Sequence, residues 1–355
     1  GERMPFEDAK ISIMAPGLTF AATVFEGLRA YWNEEKQELF VFRMDDHLKR
    51  LLDSMKLLRF GEHPSIDILR EHLLEDIRAN GYKEDIYIRL QAFVDEWGNM
   101  TAKDPVSTSI VSYPRPRTDA FLTGRNFAVS SWRRLDDNAS PPRAKAAGNY
   151  VNSRLAGMEA KESGYGGAII LTAAGKVSEG PGGCIFLTRN GVLITPGVTS
   201  GILESITRDS ILRMAAEAGQ GAETRDVDRT ELYIADEIFY CGTGQEITPI
   251  VSVDRVPVGD GMPGKITRLE LVDRLVDHLA LGHGAKHFSC RQYPCRECRH
   301  AKKGKPPSIN MCHFVPPSSQ GATCVFLTIG SLVRNYRKLN WVTLLPTTVH
   351  RATTL

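Results

Sequence analysis
The chain has 355 residues, long enough for two domains or one large one. With 42% hydrophobic and 24% charged residues it has an ordinary globular composition, and no apolar run approaches the roughly 18 residues of a membrane helix. Its net charge of +2 hides a split: eleven of the 44 basic residues but a single acid, Glu297, lie from Gly284 onward, so an acidic body precedes a basic tail.

Residues 1–113 read as a small α+β domain. Leu48, Leu51, Leu52, Met55 and Leu58 fall at helical spacing within Asp45 to Phe60, and Ile66 to Ala79 repeats the pattern. Asp85 to Val94 and Val106 to Tyr113 read as strands. The polar, Pro-broken Pro114-Arg115-Pro116-Arg117-Thr118-Asp119 opens a linker over residues 114–124. Residues 125–283 read as a larger mixed α/β domain. Strands are expected at Phe127 to Trp132, Gly167 to Leu171, Ile185 to Thr188, Val192 to Thr195, Glu237 to Tyr240 and Ile250 to Val253. Helices are expected at Tyr150 to Ser163, Thr207 to Ala218 and Ile266 to Leu281. Asn190-Gly191 marks a tight hairpin. Beyond Gly284 periodicity fades, and residues 284–355 read as a disordered or foreign extension.

The start, Gly1-Glu2-Arg3, opens no apolar signal segment. Cys184 and Cys241 are the body's two scattered cysteines, which suits a reducing cytoplasm. The tail holds Cys290, Cys295, Cys298, Cys312 and Cys324. Cys295-x2-Cys298 with His300 and His313 invites a zinc reading, and the basic charge a nucleic-acid one. No matching second ligand pair follows, and Pro306, Pro307, Pro316 and Pro317 break the segment, so neither metal nor nucleic acid is expected.

Chemistry concentrates elsewhere. Alone, Lys145 in Pro141-Pro142-Arg143-Ala144-Lys145-Ala146-Ala147-Gly148-Asn149-Tyr150 reads as a solvated surface lysine. Further blocks accompany it: Val24-Phe25-Glu26-Gly27-Leu28-Arg29-Ala30-Tyr31 and Ser130-Ser131-Trp132-Arg133-Arg134 before, Val177-Ser178-Glu179-Gly180 after. Ser205-Ile206-Thr207-Arg208-Asp209 opens a helix. Tyr233-Ile234-Ala235-Asp236-Glu237 precedes the Cys241-Gly242-Thr243-Gly244-Gln245-Glu246 turn. In this order and spacing the blocks resemble the class IV, or fold type IV, aminotransferases, in particular the branched-chain group, from Gly1 to about Gly282.

That resemblance implies a barrel-like larger domain with pyridoxal 5'-phosphate at the domain interface, and a homodimer. Lys145 would hold the cofactor covalently and move the substrate proton. Glu179 would face the pyridine nitrogen and Tyr150 the ring oxygen. Arg50, the amides of Ile206 and Thr207 at a helix N-terminus, and the Thr243 hydroxyl would bind the phosphate. Arg89 with the amides of Thr243 and Gly244 would meet the substrate carboxylate, and Phe25 and Tyr87 would line the side-chain pocket. Plain core packing is the competing reading for Phe25, Tyr87 and Trp132, and a strand-edge ion pair that for Arg89.

The implied reaction exchanges the amino group of Leu, Ile or Val with 2-oxoglutarate by a ping-pong route. A D-amino-acid or (R)-amine aminotransferase, an aminodeoxychorismate lyase and a non-catalytic remnant are the alternatives. The chain departs from the family pattern at several points. Cys184 replaces an Asn, which is expected to loosen the loop carrying Glu179. Ser205 replaces a Gly, adding a side chain near the phosphate. Phe20 replaces a Tyr that reaches the neighbouring subunit's site. A missing N-terminal strand leaves a sheet edge open.

Overall fold
The computed structural model describes residues 2–117, 120–267, 288–289 and 342–345. In chain order its strands are β1 (Glu2–Met4), β2 (Thr23–Asn33), β3 (Glu38–Val41), β4 (Ile86–Val94), β5 (Val106–Pro114), β6 (Arg125–Arg133), β7 (Gly167–Leu171), β8 (Cys184–Arg189), β9 (Val192–Thr195), β10 (Ala222–Thr224), β11 (Glu237–Gly242), β12 (Glu246–Val253), β13 (Val256–Pro257), β14 (Phe288–Ser289) and β15 (Val342–Leu345). Its α-helices are α1 (Pro16–Thr19), α2 (Met44–Leu57), α3 (Ile66–Asn80), α4 (Ala120–Thr123), α5 (Tyr150–Glu162) and α6 (Ile206–Glu217). Among the described residues no helix is long and apolar enough to cross a membrane.

The strands form two sheets. The first is antiparallel, in the order β1-β15-β5-β4-β2-β3-β14. Strand side chains alternate between faces. One face, with Val24, Leu28, Ile88 and Leu90, packs against Leu48, Leu51 and Leu73 of α2 and α3. The other face carries Phe25, Gly27, Tyr87 and Arg89, with Gly27 directly opposite Arg89. The helices lie where the spacing predicts. Ser65 caps α3 by accepting a hydrogen bond from the Ile68 amide at 3.4 Å, and Gly81, at φ 63°, ends it in the left-handed region.

The second sheet is mixed, in the order β10-β9-β8-β11-β12-β6-β7, with β13 added to β12. The β12–β6 and β6–β7 pairs are parallel, while β8–β9, β8–β11 and β11–β12 are antiparallel. Asn190 and Gly191 make the expected hairpin, both with positive φ. Trp132 is not in the core; it is 43% exposed.

Two short tail segments fall within the described residues. β14 pairs with β3, and β15 lies between β5 and β1. The sheet edge expected to lie open is therefore closed, because the unpaired N–H and C=O groups of β5 meet β15. The tail cysteines, His300, His313 and nearly all of the helix expected over Ile266 to Leu281 lie outside the described residues.

Candidate active site
One cleft takes lining residues from both sheets: Phe25, Tyr87 and Arg89 from the first, the β11–β12 turn at Thr243 and Gly244 from the second, with Lys145 and Glu179 from loops and Tyr150 from the first position of α5. Arg50 of α2 also faces it. The cleft thus joins residues more than two hundred positions apart in the chain.

The Lys145 loop is tied to β2 and to α2. The Phe25 amide donates to the Lys145 carbonyl at 3.0 Å, and the Lys145 amide donates to Ser54 Oγ at 3.1 Å. Buried Asn149 donates to the carbonyls of Pro141 and Ala144 at 2.9 and 3.1 Å, locking the loop's shape. The result fixes Lys145 Nζ, which donates to Tyr150 Oη at 2.9 Å. Phe25 packs beside both: its ring centroid is 4.8 Å from that of Tyr150 and 5.0 Å from Lys145 Nζ.

Glu179 is buried across the cleft. Arg134 Nη2 lies 2.5 Å from its Oε1, and the Leu203 amide donates to Oε2 at 3.1 Å. Burial raises its pKa from the ordinary carboxylate value, while the Arg134 charge and the Leu203 hydrogen bond pull the other way. An arginine stays charged, so the pair with Arg134 favours the carboxylate. At the position where an Asn was expected, the chain relies on these two anchors, Arg134 and the Leu203 amide, to hold Glu179. Cys184 instead sits buried beside it, Sγ 3.7 Å from Oε2. Arg134 belongs to a block visible in the sequence, but its partner is 45 positions away.

Arg50 is held by a buried carboxylate that sequence reasoning did not assign. Glu26 accepts from Arg50 Nε and Nη2 at 2.7 and 2.8 Å and from His47 Nδ1 at 2.7 Å. Burial alone would raise the Glu26 carboxyl, but Arg50 and His47 together hold it far below the usual range. Arg50 Nη1 turns towards the α6 end and donates to the Glu204 carbonyl at 2.7 Å.

That end is the N-terminus of α6. Ser205 lines the cleft and also caps the helix, its Oγ accepting from the Arg208 amide at 3.2 Å. Ile206 and Thr207 are the first two helical residues; their side chains are buried, and a helix leaves such amides without internal partners. Thr243 and Gly244 form the turn opposite. Arg89 is no strand-edge ion pair: its guanidinium stacks 3.5 Å from the Phe25 ring centroid, with Nε 3.3 Å from Gln91 Oε1. A Cβ at Gly27 would run into the Tyr87 hydroxyl, so glycine is what admits that side chain.

Pyridoxal 5'-phosphate presents an aldehyde, a ring oxygen, a ring nitrogen and a phosphate. The cleft offers an amine, a phenol, a buried carboxylate and, at another side, a guanidinium beside a helix N-terminus. This donor set fits the group. Phe20 does not line the cleft and is 49% exposed. Arg115, unassigned from the sequence because it lies in a Pro-broken connector, does line it.

Residues 23–253 match the family described as amino-transferase class IV. The chain is 41% identical over 272 residues to a probable branched-chain-amino-acid aminotransferase of Aquifex aeolicus, covering 76% of this chain and 87% of that protein. It is 40% identical over 274 residues to the branched-chain-amino-acid aminotransferase of Escherichia coli K12, covering 76% and 88%. The crystal structure of the branched-chain amino acid aminotransferase from Thermobaculum terrenum in its pyridoxal-phosphate form superposes with a TM-score of 0.75 at 39% identity, covering 81% of this chain and 95% of that one.

Proposed function
Because the chain belongs to the class IV aminotransferases, enzymes that work with pyridoxal 5'-phosphate, we propose that it exchanges the amino group of Leu, Ile or Val with 2-oxoglutarate by a ping-pong route. The observation that carries this reading is the cleft itself, where Lys145, Tyr150, Glu179 and Arg50 line one space with the Thr243–Gly244 turn.

When bound, pyridoxal phosphate supplies the electron sink that stabilises negative charge on the substrate's Cα. Lys145 would hold it covalently and its amine would take the proton from Cα; Tyr150 Oη, 2.9 Å away, orients that amine. Glu179, anchored by Arg134, holds a proton at the ring nitrogen. Arg50, the Ile206 and Thr207 amides and the Thr243 hydroxyl bind the phosphate, where the helix dipole favours an anion. Arg89 with the amides of Thr243 and Gly244 orients the substrate carboxylate, and the rings of Phe25 and Tyr87 exclude water beside an aliphatic side chain.

The proposed enzyme is a cytoplasmic homodimer. Support for the dimer comes from Ile11, Ile13, Met14, Leu18 and Phe20, all at least 46% exposed, an apolar run that a second subunit would cover. We divide the body into a domain of residues 1–113 and one of residues 125–283. Support for that division is that β5 ends at Pro114 and β6 begins at Arg125. The test is transamination by the purified, cofactor-loaded protein. Leu with 2-oxoglutarate should give glutamate, with parallel lines in double-reciprocal plots. Activity only on D-amino acids or (R)-amines would overturn the substrate assignment.

A further inference from the structure
The turn that carries the Thr243 and Gly244 amides is pressed between other parts of the cleft. A Cβ at Gly242 would come 3.1 Å from the Gly182 carbonyl, and one at Gly244 would come 3.4 Å from Arg115 Nη1. Arg115 Nη2 donates to the Gly244 carbonyl at 2.6 Å. The Gln245 amide closes the turn on the Gly242 carbonyl at 3.0 Å, and the chain re-enters the sheet at Glu246, directly opposite Gly242. Glu246 stands at φ 54°, in the left-handed region that residues other than glycine adopt only at a cost. Such a residue persists where its surroundings over-determine it.

For Glu246 those surroundings belong to the other sheet. Tyr31 Oη donates to Glu246 Oε1 at 3.0 Å, and Arg29 Nη2 lies 3.5 Å from the same oxygen. Arg29 and Tyr31 alternate along β2, so they face the same side, and both are buried. Burial, and then the Glu246 charge, push the Tyr31 phenol above its ordinary value, so it stays a donor. Arg29 Nη2 also donates to the Arg115 carbonyl at 2.9 Å. One guanidinium thus steadies both the Glu246 carboxylate and the root of the arginine that grips Gly244. The turn is fastened to the first sheet at two points, Gly244 through Arg115 and Glu246 through Tyr31 and Arg29. Neither Arg29, Tyr31 nor Glu246 lines the cleft itself.

We propose that Glu246 is a positioning residue: its carboxylate latches the Thr243–Gly244 turn to β2 and so sets where the two amides meet the substrate carboxylate. This rests on the transaminase reading above. Glycine would meet the left-handed backbone more easily. What glutamate adds is a charged reach across to Tyr31 and Arg29. Hydrogen bonds weaken steeply as their angle closes, so amides that drift with a loosened turn hold a carboxylate less well. Amino-acid and 2-oxo-acid substrates both present that carboxylate, so the latch acts on both.

The test compares wild type, Glu246→Gly, Glu246→Gln and Tyr31→Phe, all loaded with pyridoxal phosphate. 4-Methylpentanoate is titrated against the cofactor's visible spectrum, KM and kcat are measured for Leu and 2-oxoglutarate, and the thermal midpoint is recorded. Glu246→Gly suits the backbone but removes the latch. Its affinity for 4-methylpentanoate should fall about three- to tenfold, and KM for both substrates should rise by more than kcat falls. Glu246→Gln still accepts from Tyr31 and should keep part of the affinity. Tyr31→Phe leaves Arg29 in place and should lose less than Glu246→Gly; these two variants decide alone if Glu246→Gly does not fold. A lowered thermal midpoint with unchanged 4-methylpentanoate affinity, no change in any variant, or a loss in kcat with KM untouched overturns the assignment of Glu246 alone. A wild type without the cofactor's visible band overturns the transaminase reading and this assignment with it.

Discussion

Glu26→Gln tests the support beneath the phosphate end of the cleft. The wild-type carboxylate is fully buried and accepts three hydrogen bonds, two from Arg50 and one from His47. Gln keeps the shape but removes the charge and turns an N–H2 group towards a guanidinium. Removing one partner of a buried ion pair typically costs about 3–5 kcal/mol, against a total fold stability of about 5–15 kcal/mol. The loss has a defined pH dependence. Glu26's folded pKa is depressed, so its stabilisation is present above the unfolded value of about 4.3 and fades as pH falls through the folded one. The difference between wild type and variant should be full at neutral pH and shrink only in acid. Urea unfolding of the apoprotein at neutral and acid pH measures it, and a cofactor titration should show weaker binding because Arg50 is no longer held. The double variant Glu26→Gln, Arg50→Gln should lose less than the two single losses added together. A loss below about 1 kcal/mol, with unchanged cofactor affinity, would refute the positioning role.

Two further substitutions address the cleft itself. Glu179→Gln should bind the cofactor yet turn over slower by orders of magnitude, since the lost electrostatic stabilisation is worth about 3–4 kcal/mol; steady-state kinetics within about threefold of wild type would remove Glu179 from the ring-nitrogen role. Gly27→Ala should displace the Tyr87 ring, at an overpacking cost of about 1–3 kcal/mol, and raise KM for Leu; an unchanged KM and thermal midpoint would show that Tyr87 moves freely.

Elements with a clear local period were legible in the sequence. α3, expected to open at Ile66, spans Ile66–Asn80, and β7 and β9 keep the expected bounds. β2 was not read as a strand, because Val24 through Tyr31 are all buried and alternation disappears when both faces are covered. The same double burial conceals Glu26, whose partners lie one layer away on α2. Lys145, Tyr150 and Glu179 announced themselves through their local blocks. Arg115 did not, because what gives it meaning is a contact with Gly244, 129 residues on. The order of strands in the second sheet was likewise beyond local pattern, since β6 pairs with β12 and β7 rather than with its chain neighbour β5.

The central claim is that Lys145 carries the cofactor. Borohydride reduction of the protein incubated with pyridoxal phosphate, followed by peptide mapping, reads this out directly. The label should fall on the peptide containing Lys145 and be lost in Lys145→Ala together with transamination. A label on a different lysine, with the Lys145 peptide unmodified, would contradict the account.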